Sequence, residues 1–206
     1  MGTNNWKSRN KKFLSKFELV GYCILVLKQL RLGVVLWLAF TFFLRTTEFL
    51  SLTKQGISFD ENSGIIVLNL GLTKSGRRLG LHEGVTLKHK GLARLLSLAV
   101  QHLGPDDKLL NISDYQFRRI FGGLLSKFDL SDVLYKPCSL RRGGATHMMS
   151  TCNDLQRVQI IGRWSDAKTA RVYVQEAMAA KAVISQTKSQ KALFKKYDDL
   201  LSELLS

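Results

Sequence analysis

The sequence predicts a mainly helical α+β domain with one small antiparallel sheet inserted early, and three observations carry that reading. Apolar residues recur at helical spacing over most of the chain beyond Leu87. One β-branched and apolar run, from Ile65 to Leu72, is followed directly by a TKSG turn. Only Pro105 and Pro137 punctuate the 206 residues, and no repeat, low-complexity tract or proline-rich linker divides them. With 45% hydrophobic residues, the chain has material for one packed core.

The elements follow in order. Residues 1–30 read as a basic N-terminal tail and helix, helical from about 11 to 29, and residues 31–206 as the domain proper. A second, strongly apolar helix is expected over 34–52, ending near Lys54 and Gly56. Residues 59–83 are expected to form the antiparallel sheet. Helices are then expected over 87–103, from a capping segment at Ser113 to Phe128, and over 141–150, 154–162 and 167–176. A C-terminal helix is expected over 179–204, with Leu193, Tyr197, Leu200 and Leu204 at helical intervals that suit docking on a neighbouring protomer or, equally, ordinary packing on its own domain.

Composition narrows the partners. Thirty-one Lys and Arg residues against 16 Asp and Glu give a net charge of +15, which calls for a polyanion. Charge alone fits nucleic acid but also a ribosomal protein, an anionic-membrane binder or a solvated charge surface. The apolar stretch over 19–44 is interrupted by Lys28 and Arg31, and the run from Leu32 to Leu44 is well short of the roughly 20 residues a spanning helix needs. It therefore reads as a buried helix, not a membrane span. Cys23, Cys138 and Cys152 are odd in number and lack CxxC spacing, which argues against a zinc site or a disulfide framework. The N-terminus is polar and basic without a secretory cleavage pattern, so an intracellular protein is expected. No dinucleotide fingerprint, phosphate-cradling GxxxxGKS loop or HExxH helix is present, and no cofactor or metal is expected.

Four segments carry residues capable of chemistry. In LRTTEFLSL, Arg45 and Glu48 stand three apart and alone read as an ordinary ion pair. In TKSGRR, Lys74 sits at a turn with Arg77 and Arg78 beyond it, a charged hairpin tip that can also meet phosphate. In PCSLRRGGATHMM, Arg141 and Arg142 precede Gly143 and Gly144 where a loop gives way to a helix. Arginine's planar fork offers two parallel hydrogen bonds to phosphate oxygens. In IIGRWSDAKTARVYVQE, Trp164 precedes Tyr173 by nine residues, with Arg163 and Arg171 close by. Singly, each aromatic reads as core.

In order and spacing these four segments resemble the tyrosine recombinase (phage integrase) family over roughly residues 34–176. Arg45, Glu48, Lys74, Arg141, Trp164 and Tyr173 fall on the family's arginine, acid, hairpin lysine, HxxR arginine, His/Trp and tyrosine positions. The resemblance implies the catalytic core of a DNA breaking and rejoining enzyme that acts on double-stranded DNA without metal or nucleotide. Tyr173 would be the nucleophile and Arg45 and Arg141 the phosphate ligands. Lys74 would be the acid for the leaving oxygen, Trp164 would position the phosphate, and Glu48 would orient its neighbours. Arg77, Arg78, Arg142, Arg163 and Arg171 are the accompanying candidates for DNA contact. The resemblance also implies a homo-oligomer on DNA, joined through the C-terminal helix.

Two departures qualify the activity. The family's HxxR histidine position holds Cys138, which cannot supply an imidazolium near neutral pH, and His147, nine residues further on, is not expected to replace it. Family members also close a clamp on DNA with an N-terminal helical domain, for which too little chain precedes residue 34, so either a fragment of a longer chain or a truncated gene product is expected. DNA affinity should then rest on one face and fall steeply with salt. Three alternatives stay open: a DNA-binding relic that no longer cleaves, an enzyme resembling a type IB topoisomerase, and a membrane-bound basic protein.

Overall fold

The computed structural model describes residues 20–71, 83–130, 135–174, 184 and 186–205. The chain enters on a π-helical turn, Tyr22–Val26, and continues into α1, Leu30–Thr41. Every residue from Leu32 to Phe40 is buried, as befits a helix that is apolar on all sides and central to the core. Val20 and Cys23 are buried in the same core, so the packed unit includes residues before the expected boundary at 31. Among the described residues no helix is long and apolar enough to cross a membrane.

The single helix expected over 34–52 is two. Phe43 takes a left-handed backbone conformation, φ +50°, and the chain breaks between α1 and a short α2, Thr46–Ser51. The break lies within tertiary packing, where Phe42, Phe43 and Leu44 are all fully buried. The break places Arg45 at the N-cap of α2, and Glu48 in its first turn accepts the Arg45 backbone N–H at 2.7 Å.

A three-stranded antiparallel sheet in the order β1-β2-β3 follows a 3-10 turn, Lys54–Gly56. Its strands are β1 Ile57–Phe59, β2 Ile65–Gly71 and β3 Glu83–Lys88, with Ile57 opposite Leu68 and Ile66 opposite Leu87. Ile57, Ile66, Leu68 and Val85 face the core while Ile65 and Val67 stay exposed, the alternation of a sheet with one wet face. The sheet extends five residues past its expected end at 83, and Leu87, read as helical, lies in β3. The next helix, α3, spans Lys90–Val100 and is capped by His89, whose Nδ1 accepts the Leu92 N–H. Lys74, Arg77 and Arg78 lie outside the described residues.

The remainder is helical, though residues 186–187 interrupt the helix expected over 179–204 and the one expected over 167–176 ends at Tyr173. Ser113 caps α4, Asp114–Lys127, in a capping box with Gln116. Then come α5 Cys138–Cys152, α6 Leu155–Gly162 and α7 Ala167–Tyr173, the last two capped by Asp154 and Asp166. Helix α5 crosses α1 at Gly144, where an added Cβ would lie 1.8 Å from the Phe40 carbonyl oxygen. The C-terminal helix, α8, spans Lys188–Leu205 and packs on its own domain. Phe194, Tyr197 and Leu201 are buried there, and the Gln190 amide donates to the Asp129 carbonyl at 3.0 Å. Of the four residues expected to dock on a neighbour, Tyr197 is thus spent within the chain and Leu193 is partly buried, whereas Leu200 and Leu204 remain exposed.

Candidate DNA-phosphate site

Three of the six residues singled out for chemistry, Arg141, Trp164 and Tyr173, meet at a small second core cluster built from α5, α6, α7 and Phe43 of the α1–α2 break. Trp164 stacks on Phe43 at 6.1 Å and an interplanar angle of 22°, and meets Tyr173 at 4.7 Å. The Arg141 guanidinium lies over both rings, 4.8 Å from the Trp164 centroid and 5.6 Å from that of Tyr173. Arg142 approaches Tyr173 as well, at 5.6 Å. Tyr173 ends α7 half-buried, and its carbonyl accepts the Thr146 hydroxyl of α5 at 3.2 Å, which fixes the two helices to each other.

Arg141 is held by its own fold. Its two terminal nitrogens donate to the Phe43 carbonyl at 2.6 Å and the Gly162 carbonyl at 2.5 Å, so the guanidinium bridges the α1–α2 break and the end of α6. Its Nε is buried with no hydrogen-bond partner, an unspent donor in a site where such groups are expensive. Burial, first, and the neighbouring Arg45 and Arg163 push this guanidinium down to about 10, and Glu48 opposes the shift.

Glu48 is the electrostatic hub. Its carboxylate pairs with the Arg45 side chain, lies 3.9 Å from Arg141 and accepts a 2.6 Å hydrogen bond from Arg163. The Arg45 side chain is 29% exposed, whereas those of Glu48, Arg141 and Arg163 are nearly enclosed. The three guanidinium groups and the two carboxylates Glu48 and Glu83 together carry one net positive charge.

Arg163 corrects the sequence reading. Expected at a DNA surface, its side chain is instead 7% exposed and lies between Glu48 and Glu83. Its backbone closes α6 in the left-handed region, φ +54°, with Arg163 N–H to Ile160 O and Trp164 N–H to Gln159 O. That is a Schellman ending, in which glycine is the usual residue. Burial, first, lowers its basicity, and Glu48 holds the proton on against that. Glu83, first residue of β3, went unnoticed in the sequence; nothing marks a strand-end acid as the partner of a residue 80 positions away.

The remaining candidates are dispersed. Arg171 is exposed on α7. Cys138 is exposed at the first position of α5, one turn before Arg141. His147 packs against Phe40 at 5.8 Å, two turns along the same helix, and does not take its place. Among the described residues no cluster of three or more His, Cys, Asp or Glu side chains could hold a metal ion.

No family profile and no curated protein matches this sequence. Solved structures do. The XerH site-specific recombinase bound to difH substrate, a pre-cleavage complex, is 17% identical with a TM-score of 0.62, over 90% of this chain and 57% of that one. The XerA recombinase is 17% identical with a TM-score of 0.56, over 84% and 64% respectively. The Tn1549 transposon integrase in complex with transposon right end DNA is 13% identical with a TM-score of 0.60, over 85% and 66%. The chain thus spans less than two thirds of the length of each of these structures. The likeness lies in the fold, a mainly helical domain with a small antiparallel sheet.

Proposed function

From this tyrosine recombinase catalytic-domain fold, we propose that the chain cleaves and rejoins strands of duplex DNA through Tyr173. The observation that carries the reading is the convergence of Arg141, Trp164 and Tyr173 beside the Glu48–Arg45 pair, residues drawn from three distant stretches of sequence. The Tyr173 oxygen attacks the scissile phosphorus, forming a 3′-phosphotyrosyl ester while the bond to the 5′-oxygen breaks. The phosphodiester's free energy is kept in that ester, so the 5′-hydroxyl can reverse the step without an outside energy source. Arg45 and Arg141 hold the non-bridging oxygens and offset the charge that builds in the pentavalent transition state. Trp164 fixes the Arg141 plane and Glu48 its direction. Lys74 protonates the leaving 5′-oxygen, and Arg77, Arg78, Arg142 and Arg171 add contacts to the backbone.

Duplex DNA as partner is further supported by the charge of +15 and by the neighbours solved with DNA. A suicide duplex nicked beside the scissile phosphate tests the reading. The wild-type chain should form a covalent adduct and Tyr173→Phe none.

A second reading, a relic that binds DNA without cleaving it, is favoured by Cys138, which leaves no imidazole one turn before Arg141. Salt-sensitive binding without an adduct would select it.

A further inference from the structure

We propose that Glu83 is a positioning residue of the phosphate site, acting on it through Arg163; the inference rests on the strand-cleavage reading of that site. The route is short. Arg163 reaches inward from the end of α6, its terminal nitrogen donating to Glu48 Oε2 at 2.6 Å and its Nε lying 3.3 Å from Glu83 Oε2. The second contact is an ion pair misaligned for a hydrogen bond, so it acts by charge and not by direction. The same guanidinium faces the Ile161 carbonyl of α6 at 3.3 Å and the Phe42 carbonyl at 3.4 Å, the latter in the break that also supplies the Phe43 carbonyl to Arg141.

Glu48 is therefore shared among three cations, and how it divides itself depends on how well each is satisfied elsewhere. Glu83 compensates Arg163 from the far side and leaves Glu48 able to hold Arg45 and Arg141. With Glu83 neutral, the enclosed Arg163 draws Glu48 toward itself, since charges in a water-poor cluster interact far more strongly than in solvent. The two phosphate ligands then lose their common anchor. The cluster also gains a unit of positive charge, so affinity for DNA is kept while the geometry for attack is lost. Glu83 opens β3 opposite Gly71, and its pairing with Arg163 fixes that corner of the sheet to the end of α6, next to Trp164.

The experiment compares wild type, Glu83→Gln, Glu83→Asp, Arg163→Met and the double variant Glu83→Gln/Arg163→Met in two assays, duplex binding and single-turnover adduct formation on the nicked substrate. For Glu83→Gln, binding within about twofold of wild type and adduct formation slowed about 10- to 100-fold is expected, the scale on which supporting partners of a site act. Glu83→Asp, which keeps the charge, should recover most of the rate. A merely structural role would lower binding and cleavage together and would not be rescued by the shorter acid; either that result or a wild-type rate in Glu83→Gln overturns the inference. Should Glu83→Gln not fold, the double variant, whose cluster regains its single positive charge, must form adduct faster than Arg163→Met, and equality overturns the inference. A wild-type chain that binds but forms no adduct strikes the cleavage reading itself and takes this inference with it.

Discussion

Glu48 accepts a 2.6 Å hydrogen bond from Arg163, 115 residues further along the chain, and both side chains are almost wholly enclosed. Removing the carboxylate leaves Arg45, Arg141 and Arg163 crowded together in a poorly solvated cluster. Glu48→Gln should therefore lose about 3–5 kcal/mol of stability, as when one partner of a buried pair is deleted. The urea midpoint at an unchanged slope measures it. Arg118→Ala, which breaks a half-exposed pair with Asp114 on α4, should lose less than about 1 kcal/mol. Equal losses would contradict the hub assigned to Glu48.

Gly144 sits where α5 crosses α1, and a methyl group there would overlap the Phe40 carbonyl. Since backbone cannot step aside as a side chain can, Gly144→Ala should destabilise the domain by about 3 kcal/mol or more. The exposed Gly123 of α4 has nothing within 4 Å of a built Cβ, and Gly123→Ala should raise stability by about 0.5–1 kcal/mol through helix propensity. Opposite signs in one denaturation series are the expected result.

Cys138 stands one turn before Arg141, at the place in the sequence where the HxxR pattern has its histidine. Cys138→His should speed adduct formation by about 10²-fold, the lower end of what a general acid or base contributes. An unchanged rate would mean that proton transfer at this position does not limit cleavage.

The Arg141 guanidinium, pushed down to about 10 by burial and by Arg45 and Arg163, gives a pH dependence with a definite sign. Between that value and arginine's ordinary range the unfolded chain carries the extra proton, so this group's contribution to stability is gained as pH rises and lost as pH falls through about 10. Phosphate binding runs the other way, because it needs the cation. A carbon-13 titration of the Arg141 guanidinium should show a midpoint near 10 without DNA and a higher one with DNA bound. A midpoint that DNA does not move would detach Arg141 from the phosphate.

Much of this architecture was legible. The capping boxes and acid caps at Ser113, Asp154 and Asp166 are local chemistry, and the helices they open lie where the sequence puts them. Strand β3 was missed although Val85 and Leu87 alternate with Thr86 and Lys88, because the helical pattern that follows overlaps it. The break at Phe43 could not be read, since no local rule gives a phenylalanine positive φ. Arg163 was misread for a related reason. Its text is basic and its left-handed backbone follows a helix end where glycine is usual, so only the folded chain reveals that it points inward to two acids. On α8 two neighbouring faces are apolar, and sequence alone cannot say that Phe194, Tyr197 and Leu201 form the one that docks.

Peptide mapping by mass spectrometry after reaction with the nicked duplex tests the central claim most directly. A peptide containing Tyr173 that carries the DNA 3′-phosphate, and disappears in Tyr173→Phe, is the predicted result. Adduct on another residue, or none while the duplex is bound, would contradict it.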